Sequence, residues 1–145
     1  MIKRITTEII INATPERVWQ VLTTFSEYPQ WNPFIISVEG NAAVGARLRN
    51  TMKNNGKTFV FKPTVLGSEP GRHFAWLGSL FVKGIFDGYH FFNIETVAPG
   101  QTKLTQGEEF SGILSTFILG KIGAETRENF IRMNQALKQR AESSL

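Results

Sequence analysis

The sequence predicts an α+β fold: a strongly curved antiparallel sheet of about seven strands wrapped around one long C-terminal helix, with two short helices after the first strand. Three observations carry this expectation. Runs with period-two alternation open the chain and recur six more times between turn-like residues. Proline-punctuated helical spacing follows the first run only. The chain then ends in a segment whose apolar residues recur every three or four positions.

The first strand is read from Ile5, Thr7, Ile9 and Ile11, which alternate with Thr6, Glu8 and Ile10. In the following NATPERVWQVLTTF, Thr14 can act as N-cap and Pro15 suits the first helical position, where no N–H is needed. Val18, Val21, Leu22 and Phe25 form the apolar stripe of that helix. SEYPQWNPF, broken by Pro29 and Pro33, predicts a second short helix that stops at a tight loop.

Six strands are expected next, over Phe34–Gly40, Ala46–Lys53, Lys57–Leu66, Arg72–Leu80, Ile85–Val97 and Gln101–Ser111. The separators NNG at 54–56, EPG at 69–71 and APGQ at 98–101 are of hairpin length, which favours antiparallel pairing. Ile122, Thr126, Phe130, Met133 and Leu137 place a long amphipathic helix from about Ile122 to Glu142. Gly120 and Gly123 lower helix propensity just before it, so a break or bend is expected there.

With 145 residues the chain reads as one domain spanning 1–145, long enough to bury a sizeable core. The 12 Phe and 3 Trp residues suit either a dense core or a cavity with aromatic walls. The formal charge is +4, but the basic residues (Lys3, Arg4, Arg47, Arg49, Lys53, Lys57 and Lys62 among them) are dispersed. No compact basic cluster points to nucleic acid. The absence of cysteine excludes disulfides and thiolate chemistry. No apolar run approaches the ~18 residues of a membrane span, and no signal-like segment opens the chain. A cytoplasmic, soluble protein, monomeric or homodimeric, is the expectation.

Motifs with a fixed chemistry are missing. HExxH, Walker A, GxSxG and GxGxxG patterns do not occur. With 2 histidines and no cysteine, neither a metal site nor a cofactor is expected. Glu108 and Glu109 point to opposite faces of a strand and cannot share a substrate.

Five segments together resemble the polyketide cyclase/dehydrase-like members of the START-like, or Bet v 1-like, helix-grip superfamily: ATPERVW at 13–19, YPQWNPF at 28–34, FDGYHFFNIE at 86–95, LTQGEEFSG at 104–112 and RENFIRMNQALKQRAE at 127–142. The resemblance spans essentially the whole chain. It implies a cavity between the concave sheet face and the long helix. It also implies binding of a small hydrophobic or aromatic, lipid- or polyketide-like ligand. Where related sequences often carry a histidine, this chain has Gln106.

Strand parity then selects the residues that face such a cavity. Gly88, His90, Phe92 and Ile94 share one face, and Leu104, Gln106, Glu108 and Phe110 share a face of the next strand. His90, Gln106 and Glu108 would form the polar end of an otherwise apolar pocket. Phe59, Phe61, Phe74, Trp76, Phe92 and Phe110 are its expected aromatic walls. Trp31 and Asn32 belong to the loop where the superfamily cavity opens, and Phe130, Met133, Asn134 and Leu137 face it from the helix. A lone histidine among aromatics is more often a hydrogen-bonded core residue than a catalyst. His73 has the opposite parity to Phe74 and Trp76 and is expected outside.

Three functions remain open at this stage. The leading one is ligand binding. A cyclase- or dehydratase-type enzyme would use His90 or Glu108 as acid–base. A protein-interaction or stress-response role would need ILSTFIL at 113–119 to be an exposed patch.

Overall fold

The computed structural model describes residues 3–80 and 82–143. Strand β1 (Lys3–Ile11) leads into α1 (Pro15–Thr23), a 3₁₀ turn (Phe25–Glu27) and α2 (Tyr28–Trp31). Seven strands follow: β2 (Ile35–Glu39), β3 (Arg49–Asn54), β4 (Lys57–Phe61), β5 (Thr64–Glu69), β6 (His73–Leu80), β7 (Phe86–Ala98) and β8 (Gln101–Ser111). Helix α3 (Ser115–Glu142) closes the chain. The Thr14 hydroxyl accepts from Arg17 N at the start of α1, with Pro15 in the first turn.

The strands form antiparallel sheets in the orders β1-β8-β7-β6-β5 and β2-β3-β4. Residues 45–48 stitch them together. Leu48 N donates to Pro63 O (2.8 Å), Val65 N to Ala46 O (2.9 Å), and Arg47 bridges to Thr64. The expected single strand Lys57–Leu66 is therefore two strands, and eight strands replace about seven. Pro63 is the physical reason: it has no N–H for a ladder, and only its carbonyl is used.

Helix α3 also departs from expectation. It runs unbroken for 28 residues through Gly120 and Gly123. A glycine costs a helix only about 1 kcal/mol relative to alanine. Ile118, Leu119 and Ile122 pack against the core on either side of Gly120, which holds that half of the helix in place. The ILSTFIL segment is divided between two environments. Ile118 and Leu119 pack inward, while Ile113 and Phe117 are exposed.

The core lies between the concave sheet face and α3. Leu104, Phe92 and Val65 from the sheet meet Phe130, Met133 and Leu137 from the helix, all fully buried. Val18, Val21 and Leu22 of α1 close one end. Tyr28 is fully buried, and its hydroxyl donates to Leu22 O. Burial without a charge partner raises its pKa far above the ordinary phenol range. No helix among the described residues is long and apolar enough to cross a membrane.

Candidate ligand site

The period of the sheet places the site's polar groups. His90 on β7 sits directly opposite Glu108 on β8 and Trp76 on β6. Gln106, two residues before Glu108, lies opposite Phe92 on one side and Thr7 of β1 on the other. All these positions point inward because residues two apart share a face. The convex face carries His73, which is half-buried and shares a 2.6 Å hydrogen bond between its Nδ1 and Asn93 Oδ1.

Both nitrogens of the His90 ring are engaged. Nδ1 lies 3.2 Å from Glu108 Oε1, and Nε2 lies 2.9 Å from Gln106 Oε1. Gln106 Nε2 donates to Asn134 Oδ1 (2.7 Å), and Asn134 Nδ2 donates to Thr7 Oγ1 (2.8 Å). The Thr7 hydroxyl donates to Gln106 O (2.9 Å). Four buried polar side chains thus satisfy one another across β7, β8, α3 and β1, as burial demands. The His90 ring is only 1% exposed. Trp76 stacks on it with centroids 4.8 Å apart, and Phe130 approaches to 4.9 Å from the helix side. Glu108 keeps 14% of its side chain exposed, the largest opening in this polar chain.

Beside this end lies a cavity of about 140 Å³. Six of the expected site residues line it: Phe59, Phe61, Trp76, His90, Glu108 and Phe110. Phe110 stacks on Phe86 with nearly parallel rings 5.5 Å apart. Phe59 is 42% exposed, so it stands where the cavity meets solvent.

The remaining expected residues lie elsewhere. Phe74 and Phe92 are fully buried in the aromatic cluster around Trp76, and Phe74 also meets Trp19 edge-on at 6.1 Å. Met133 and Leu137 are fully buried in the core, and Phe130 packs between Phe34 and His90. Gln106 and Asn134 form the relay behind His90. Trp31 packs edge-on against Tyr28 at 5.0 Å. Asn32 Oδ1 accepts from Phe34 N and Ile35 N at 2.9 Å each, shaping the entry to β2.

Sequence reasoning missed several wall residues. Phe86 and Gly88 share the parity of His90 and were legible on that ground. Ile122, Thr126 and Asn129 follow one helix face at spacings of four and three. Phe34 and Met52 reach the cavity from β2 and β3, whose short runs give a weaker parity signal. Thr7, a member of the relay, shares the inward face of Ile5 and Ile11. Among the described residues, no three His, Asp or Glu side chains cluster to hold a metal ion.

A family model described as "Polyketide cyclase / dehydrase and lipid transport" matches residues 3–142. No curated protein matches the sequence. Among solved structures, the chain is similar to the Zhui aromatase/cyclase from Streptomyces sp. R1128, with 18% identity, 98% of this chain and 94% of that chain covered, and a TM-score of 0.79. It is similar to a START superfamily protein from Mycobacterium smegmatis, with 21% identity, 96% and 97% covered, and a TM-score of 0.74. It is also similar to a norcoclaurine synthase from Thalictrum flavum, with 12% identity, 97% and 94% covered, and a TM-score of 0.74. At these identities the likeness is one of fold.

Proposed function

The chain belongs to the polyketide cyclase/dehydrase and lipid transport family, and from that premise we propose that it binds a small hydrophobic or aromatic molecule between its sheet and its C-terminal helix. One observation carries the reading: apolar rings surround a hollow of about 140 Å³ that ends on a single carboxylate, Glu108. An apolar cavity of about 150 Å³ admits a benzene-sized ring. Desolvation of such a ring against Phe34, Phe61, Trp76 and Phe110 supplies the affinity, and the polar end supplies the orientation.

The geometry favours binding over acid–base catalysis by His90. Both its nitrogens are turned to protein partners, so the imidazole has no free nitrogen for a substrate. The enzyme reading survives in one form. Glu108, backed by His90, would be the group that meets the substrate. What favours it is the partial exposure of that carboxylate beside the cavity.

Toluene tests the cavity directly. Saturable shifts of the Met52 and Ile122 methyl resonances on adding toluene are expected, since both side chains line the hollow. Methyl resonances that stay fixed, or drift without saturating, overturn the reading.

A further inference from the structure

We infer that the ligand presents a hydroxyl on its ring, a phenol-type donor received by Glu108. The inference rests on the cavity reading above and adds the polarity of the ligand to it.

Two of the polar side chains around the hollow are engaged with protein partners. The Thr126 hydroxyl donates to Ile122 O (2.9 Å). Asn129 Nδ2 donates to Asn54 Oδ1 (3.1 Å), and Asn129 Oδ1 accepts from Arg132 (2.6 Å). Asn54, half-buried at the end of β3, is the acceptor of the Asn129 Nδ2 bond and also lines the hollow. His90 has one nitrogen on Glu108 and the other on Gln106. Beside His90 this leaves Glu108 Oε2 as an acceptor with no donor from the described residues.

Oε2 is an acceptor when Glu108 is ionised and also when its proton sits on Oε1. The amides of Gln106 and Asn134 can run their hydrogen bonds in either direction. In both, one proton lies between His90 Nδ1 and Glu108 Oε1. If it rests on nitrogen and Glu108 is ionised, Oε2 belongs to a carboxylate; if it rests on Oε1, Oε2 is the carbonyl oxygen of the acid. In both of these arrangements it receives a hydrogen. Among the described residues, no N–H or O–H donates to it.

Gly88 provides the seat for this atom. A Cβ built at position 88 would collide with Oε2 and come within 3.0 Å of the Glu108 Cδ. The missing side chain lets the carboxylate lie along the sheet and face the hollow. A neutral hydroxyl fits such a site better than an ammonium group, because a cation loses far more hydration on entering apolar surroundings.

Calorimetry on the full chain with 4-methylphenol, 4-methylanisole and toluene tests the inference. The phenol is expected to bind at least ~10-fold more tightly than either of the others, the scale of a hydrogen bond to a charged group. Glu108→Leu should erase that preference while toluene still binds. Equal affinity for the phenol and the anisole, or a preference that survives Glu108→Leu, overturns the inference and leaves the cavity reading standing. Failure of all three compounds to bind takes down both. Should Glu108→Leu not fold, Gly88→Ala serves instead: it keeps the carboxylate but displaces Oε2. The preference should shrink, and an undiminished one contradicts the role given to that oxygen.

Discussion

His90 Nε2 lies 2.9 Å from Gln106 Oε1, and this contact ties the imidazole to a relay that ends on Thr7. The ring is thereby fixed by bonds to β8 while its flat face packs under Trp76. The polar end of the cavity is built into the core, and Glu108 is the most exposed member of its hydrogen-bonded chain.

Gln106→Leu should therefore be costly. It leaves His90 Nε2 and Asn134 Oδ1 buried without partners. Two such groups at about 1–3 kcal/mol each give a loss on the order of 2–6 kcal/mol. Urea denaturation measures it. A loss within ~0.5 kcal/mol of zero, the range of an ordinary surface change, would mean that the relay does not hold the core.

Alkaline stability should depend on Tyr28. An unfolded tyrosine ionises near pH 10, whereas burial keeps the Tyr28 proton in place to higher pH. Above about pH 10 the unfolded chain then binds fewer protons than the folded one. Stability falls as pH rises, by up to about 1.4 kcal/mol per pH unit. Below pH 10 the two states match and the effect is absent. Tyr89, raised by partial burial and then by Glu109, adds a fall of the same sign. Denaturation curves between pH 9 and pH 11 should be distinctly flatter with pH in Tyr28→Phe than in the wild type. Parallel curves would refute the assignment.

Gly120→Ala and Gly123→Ala should each stabilise the protein by about 0.5–1 kcal/mol. Both glycines lie inside α3, and a Cβ at either meets nothing within 4 Å. Alanine lowers the entropy of the unfolded chain without a clash. Thermal melts of the two variants and their combination decide the matter. Lower midpoints would show that the helix needs flexibility there.

The face of each long strand was legible because the side-chain period of a strand is two. Parity alone put His90, Gln106 and Glu108 on one side, and the register brings them together. Depth along the strand was not legible. Phe92 shares the face of His90, yet it is fully buried against Trp76, whereas Gly88, on the other side of His90, opens onto the hollow. Position along a curved sheet depends on how far each strand bends, and a single sequence carries no such distance. Pro63 carried a readable signal that the apolar run around it obscured. The unbroken α3 shows the reverse case, in which packing of Ile118 and Ile122 outweighs local propensity.

The central claim is an enterable hollow bounded by Phe34, Phe61 and Phe110 and closed by Glu108. Crystals soaked in 4-bromophenol test it most directly, because bromine can be located by its anomalous scattering. The account predicts a bromine peak inside the hollow, with the hydroxyl within hydrogen-bond distance of Glu108 Oε2. A bromine peak found only on the outer surface, or a ring inside whose hydroxyl points away from Glu108, would contradict it.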